Sequence, residues 1–122
     1  MAQEYLMRWP TSTGNRRTFT WAGWIKYLKD SNTRQGFFSC DDGSGHSTLE
    51  FDGKKMMWNT ASFGWSKSAE EFRDFNGWSH IVFAHDTTQD QAEDRLKLWV
   101  NGAQCRFSDD SNMANWLSLI HI

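Results

Sequence analysis

Trp78-Ser-His-Ile-Val-Phe-Ala-His-Asp-Thr-Thr-Gln89 and, beyond a short polar loop, Asp94-Arg-Leu-Lys-Leu-Trp-Val-Asn-Gly-Ala-Gln104 decide how this chain folds. They read as a strand over Trp78 to His85, a loop, a strand over Arg95 to Val100, a two-residue reversal and a strand over Ala103 to Phe107. Asn101-Gly102 is a strong hairpin signal, because a type I′ turn needs positive φ at both central positions. About that turn Val100 faces Ala103, Leu98 faces Cys105 and Leu96 faces Phe107. Side chains alternate with period two, so these six apolar residues share one face and Lys97, Trp99, Gln104 and Arg106 share the other. A one-sided hairpin of this kind belongs to an antiparallel sheet with one face on a core.

The rest of the chain has the same punctuation. Glu4 to Trp9 reads as an opening strand stopped by Pro10 and the turn-prone Thr11 to Asn15. Thr18 to Tyr27 carries rings on both alternating faces (Phe19, Trp21 and Tyr27 against Trp24), which suits a central strand covered on both sides. Gln35 to Cys40 follows, then the loop from Asp41 to Gly45 and the strand Ser47 to Phe51. That strand, with Leu49 and Phe51 inward, pairs with Lys55 to Asn59 across Asp52-Gly53. Residues 60–77 are less regular, with Glu70 to Phe75 their best strand candidate. About eight short strands between Gly, Asn and Asp turns, with no clear helix, predict an all-β antiparallel sandwich or jelly roll.

The segments "GWSHIVFAHDTTQ…DRLKLWVNGAQ", "GNRRTFTWAGWIK" (Gly14 to Lys26) and "FFSCDDG…LEFD" between them carry a family resemblance. They resemble laminin-G-like, concanavalin A-like jelly-roll domains, in the version found in tail and virion-associated proteins of tailed phages. Phe72-Arg73-Asp74 fits the step that precedes the Trp of the next strand in those domains. The resemblance spans about residues 5 to 108. Its motifs specify a fold and leave the ligand open.

Laminin-G-like domains continue after the Val-Asn-Gly hairpin into further strands, one returning beside the N-terminal strand. Here the sequence stops soon after that hairpin. Its last six residues, Leu117-Ser-Leu-Ile-His-Ile122, match the translation of CTGTCTCTTATACACATC, a transposon-end adaptor used in sequencing libraries. Residues 1–116 therefore read as a partial jelly-roll domain, incomplete at the C-terminus, and 117–122 as an adaptor artefact.

Composition sets outer limits. A chain of 122 residues holds one domain. A net charge of −2 gives no basic field, so we expect no nucleic-acid partner. No apolar run reaches membrane-spanning length and no secretory signal layout begins the chain, so we expect no membrane partner. Eight Trp and nine Phe are the compositional outlier; the default role of such rings is core, where each buries roughly 150–250 Å². Cys40 and Cys105 show no metal or redox spacing; they read as two small buried hydrophobes, with a disulfide between them left open.

Four constellations bear on chemistry. Glu50 and Asp52 share the outward face of their strand, as the first two carboxylates of E-x-D-x-x-E do in sandwich glycoside hydrolases similar to laminarinases. The third position is Lys55, so the pair lacks the acid/base that hydrolysis needs. Concanavalin A-like domains often bind calcium through loop carboxylates, and Asp41, Asp42 and Asp86, with Asp109-Asp110, offer hard oxygen ligands. No cofactor other than calcium is expected. Glycan recognition calls for rings beside polar groups; Trp58 and Trp65, read in the irregular segment with Asn59, Ser62 and Ser66, and Trp99 between Lys97 and Arg106 are the candidates. His80 and His85 lie on opposite faces of one strand, each expected to be a hydrogen-bonded structural residue.

The expected function is a non-catalytic binding or structural module with no catalytic residues; the alternative is a glycoside hydrolase-like sandwich domain. The resemblance implies a phage virion or tail setting, otherwise an extracellular one. The partner is a surface glycan or a neighbouring virion protein, with oligomerisation through the parent protein.

Overall fold

The computed structural model describes residues 6–12, 14–15, 17–26, 34–41, 43, 45–60, 64–72 and 77–107. Among them eight strands form two antiparallel sheets. The first sheet has the order β1 (Thr18–Lys26), β6 (Trp78–Asp86), β7 (Leu96–Val100), β8 (Ala103–Cys105). The second runs β2 (Arg34–Asp41), β3 (His46–Asp52), β4 (Lys55–Thr60), β5 (Gly64–Lys67). One short 3-10 turn, Ala92–Asp94, precedes β7, and no α-helix occurs among the described residues. The all-β antiparallel sandwich expected from strand spacing is the fold.

The hairpin forms as its turn chemistry requires. Asn101 and Gly102 have φ of 52° and 84°, and Val100 pairs with Ala103 and Leu98 with Cys105. The third expected pair does not form. After Cys105 the chain leaves β7, and Phe107 bridges Ser68 of the other layer while the Arg106 carbonyl accepts the Ala69 N–H at 2.7 Å. Phe107 stays buried, so the swerve stitches the two sheets together without taking its ring out of the core. At the β3–β4 hairpin the turn is Gly53-Lys54, one residue later than expected, since Asp52 still pairs with Lys55. Gly53 alone supplies positive φ there, at 63°, as a type II′ turn needs.

Alternation builds the core. Leu49, Phe51, Met56 and Trp58 of the second sheet meet Ile81, Phe83, Leu96, Leu98 and Cys105 of the first. Ring contacts cross the gap, Trp58 to Phe83 at 5.0 Å and Phe19 to Trp58 at 5.9 Å between centroids. In β2 a bulge between Gly36 and Phe38 turns two successive rings toward this core. Phe37 there meets Trp21 at 5.2 Å and Phe51 at 5.6 Å. Gly23 leaves room for the Trp21 indole, since a Cβ on it would lie 2.8 Å from that ring.

Three expected elements change. Leu6 to Trp9, the described part of the expected opening strand, belongs to neither sheet, and its apolar side chains are exposed. Glu70 to Phe72 is not a strand; the strand of this region is β5, which was hidden because Gly64-Trp-Ser-Lys67 has one strong strand former in four residues. Phe72 instead packs edge-on against Phe51 at 5.2 Å. β1 is not a central strand covered on both sides: it ends the described order of its sheet, and its even-numbered face is exposed. Arg73 to Asn76 and residues 108–122, including the adaptor-like end, lie outside the described residues.

Candidate functional site

The odd residues of β1 and β6 (Phe19, Trp21 and Ile25; Ile81, Phe83 and His85) go to the core, so the even residues form the outer face of the first sheet. Cross-strand register lays that face out row by row. Lys26 pairs with Trp78, and Trp24 with His80. The next row runs Ala22, Val82, Trp99, Gln104, and the one after it Thr20, Ala84, Lys97. Small residues therefore make a floor, with Trp24 at one side and Trp99 on the other, two strand spacings or about 10 Å across. Trp24 is 64 % exposed and Trp78 63 %, while Trp99 is half-buried. The Trp24 ring leans on the His80 imidazole at 5.0 Å and 56°. His80 is in turn held by Asn101: its N–H donates to Asn101 Oδ1 at 2.8 Å and its carbonyl accepts the Asn101 N–H at 2.8 Å. The turn that closes the hairpin thus also fixes one end of the face. A cavity of about 310 Å³ adjoins it at β7–β8, lined by Asp94, Lys97, Gln104 and Arg106 among others.

The outer face of the second sheet is different. Lys67 Nζ lies 2.8 Å from Asp52 Oδ2 and 4.8 Å from the Trp65 ring centroid. Arg34 Nη1 is 3.7 Å from Glu50 Oε1, and Thr48 Oγ1 donates to Glu50 Oε2 at 3.3 Å. Here the charges face one another.

Among the three candidate rings, Trp58 is not in an irregular segment and not on a surface. It sits in β4, 0 % exposed, against Phe19, Phe83 and His85, so a sugar cannot reach it. The continuous run Met56-Met57-Trp58 hid the period of two. Trp65 is in edge strand β5, 38 % exposed and paired with Asn59. Trp99 lies on the outer face of the first sheet as expected. Trp24 and Trp78 were missed, although Trp24 falls in phase with Thr18, Thr20 and Lys26 rather than with Phe19, Trp21 and Ile25.

Of the calcium candidates, Asp41 ends β2 in one sheet and Asp86 ends β6 in the other. Asp41 Oδ1 accepts the Gly43 N–H at 2.6 Å. Asp86 accepts from the Gln89 amide, from the Thr88 hydroxyl and N–H, and from Thr18, and these hydrogen bonds hold its pKa down at about 2. Both carboxylates thus cap their own turns. Asp42 and Asp109-Asp110 lie outside the described residues. Among the described residues no three His, Cys, Asp or Glu side chains gather as metal ligands.

Glu50 and Asp52 do share one face, but Glu50 is buried and each carboxylate is matched to a cation. His85 is structural without the expected hydrogen bond: 1 % exposed, it packs on Phe19 at 5.1 Å, and neither ring nitrogen has a partner of acceptable geometry. Burial pulls its pKa down to about 4, against the opposing pull of the Arg17 backbone and the Asp86 carboxylate. Cys40 in β2 and Cys105 in β8 are not joined in a disulfide, and burial pushes the pKa of the Cys105 thiol up.

No curated protein and no solved structure matches the chain significantly. Residues 4–118 match the laminin G family model described as the concanavalin A-like lectin/glucanases superfamily, and with a two-sheet antiparallel sandwich to support it the chain belongs to that superfamily.

Proposed function

We propose that this domain binds carbohydrate without cleaving it, through the outer face of its first sheet. The observation that carries the reading is Trp24, 64 % exposed yet held against His80 beside a floor of Ala22, Val82 and Ala84. Exposed apolar surface of this kind marks a place that something covers. An indole suits the C–H face of a pyranose, since it offers a large apolar area at little entropic cost. Thr20, His80 and Gln104 on the same face supply donors and acceptors for sugar hydroxyls.

Hydrolysis is less well supported. It needs two available carboxylates on either side of a glycosidic bond. Glu50 and Asp52 are engaged by Arg34 and Lys67, and Lys55 occupies the third position of the hydrolase pattern. The resemblance of the sequence to phage tail proteins favours a virion surface as the setting, with a host-surface glycan as ligand.

The test is a glycan array probed with the full chain. Selective retention is expected, lost in Trp24→Ala and in Trp99→Ala at unchanged melting temperature, with no reducing ends released from the bound glycan. Absence of selective retention on any glycan would overturn the reading and leave an architectural domain whose face meets a neighbouring subunit.

A further inference from the structure

Charge is spread unevenly over the outer face of the first sheet. Its described residues include the cations Lys26 and Lys97 and the imidazole of His80, against one carboxylate, Asp86. Asp86 sits at the far corner beside Thr18, with both oxygens engaged by Thr18, Thr88 and Gln89. Lys97 is neutralised from the flanking turn, 3.3 Å from Asp94 Oδ1. At the opposite end Lys26 is exposed, pairs across the strands with Trp78, and has no ion pair among the described residues; the only described contact of the His80 ring is Trp24. Two exposed indoles, one ammonium and one imidazole thus occupy adjacent rows, with no carboxylate among the described residues of either row.

We propose that this end of the face takes an acidic sugar residue, a pyranose carrying a carboxylate. Its ring rests on Trp24 or Trp78 and its carboxylate is met by the Lys26 ammonium, with an imidazole N–H of His80 as second donor. The inference rests on the glycan-binding reading and narrows its ligand class. A neutral glycan would use the indoles and leave Lys26 idle. An anionic one gains a charge-assisted hydrogen bond, which is roughly twice as strong as a neutral one. Such a contact at an open surface is screened over about 10 Å at 0.1 M salt, so the preference for acid depends on ionic strength.

The experiment titrates the full chain with oligomers of galacturonate, of glucuronate and of sialate, each beside its fully methyl-esterified counterpart, at low and at physiological salt. Esterification keeps the sugar face and removes the charge. For at least one pair the free acid is expected to bind several-fold more tightly than its ester, the gap narrowing as salt rises. Lys26→Gln should bring the acid to the level of the ester without weakening the ester, whereas Trp24→Ala weakens both. Equal binding of acid and ester would overturn the inference and leave the glycan reading standing. So would a preference that persists in the Lys26→Gln, His80→Gln double variant. Binding of no acid and no ester, together with an empty neutral array, would remove both.

Discussion

The two outer faces of this sandwich are built on the same plan and finished differently. On the second sheet, charged residues answer one another across the strands: Lys67 meets Asp52 and covers Trp65, and Arg34 meets Glu50. On the first sheet the alternate positions hold Ala22, Val82 and Ala84 between Trp24 and Trp99, with Lys26 at one end and no carboxylate facing it among the described residues. A face whose charges pair with one another has less left to offer a ligand, even though Glu50 Oε1, 3.7 Å from Arg34, makes no hydrogen bond. A face with bare rings beside an exposed cation retains most of its interaction capacity for something outside the chain.

Both faces depend on one core, and removing it gives the largest effect. Trp58 reaches across the gap to Phe19 and Phe83, and it touches neither outer face. Trp58→Ala should cost about 3–5 kcal/mol, enough to unfold a domain of ordinary marginal stability. Trp24→Ala should change stability by no more than about 0.5 kcal/mol, because its ring covers exposed surface. Urea midpoints of the two variants, read beside their glycan retention, separate scaffold from site. A stable Trp58→Ala protein would mean that the ring is not the bridge between the layers.

Acid should act next most strongly, and through the same interior. His85 is buried against Phe19 of one sheet and Trp58 of the other. Above pH 6.5 it is neutral folded or unfolded and adds no protonation penalty. Between 6.5 and about 4 the unfolded chain takes up a proton that the folded one refuses, so stability falls as pH falls through this window. Below about 4 the folded form is protonated too and the loss is complete, about 3 kcal/mol in all. His85→Phe, which keeps a ring in the cavity, should flatten the dependence of the urea midpoint on pH between 6.5 and 4. An unchanged slope in that variant would assign the acid sensitivity to other groups.

The scaffold was more legible in the sequence than the site, for a physical reason. Asn101-Gly102 dictates its own turn, and period-two alternation through Leu96, Leu98, Ile81 and Phe83 names the core face directly. Alternation fails where both neighbours of a position are apolar. Met56-Met57-Trp58 has no phase, so the sequence does not separate a core Trp58 from a ligand ring, and the bulge at Gly36 brings Phe37 and Phe38 to one side in a way no simple period allows. The pairing of Leu96 with Phe107 was lost because the chain leaves β8 to bridge Ser68, a long-range contact with no local signal. The site is harder still. Trp24 sits in phase with polar residues, which places it on the surface, but its significance comes from Val82, His80 and Trp99 on strands distant in sequence.

A weaker effect than those of Trp58 and His85 is the sharpest test of the contrast between faces. Lys67→Met keeps an aliphatic stem over Trp65 while removing the charge that faces Asp52. Both partners are partly exposed, so the ion pair contributes about 0–1 kcal/mol, and the contact with the indole adds about 0.5–1 kcal/mol. A loss of about 1 kcal/mol in urea denaturation is expected, shrinking at high salt as screening weakens the wild-type pair. Glycan affinity should not move, because the substitution lies on the opposite side of the core from Trp24 and Trp99. If Lys67→Met instead weakened glycan retention as far as Trp24→Ala does, the ligand would lie on the second sheet. Trp65 would then be its platform, and the self-satisfied charges of that face would be the resting state of a binding site.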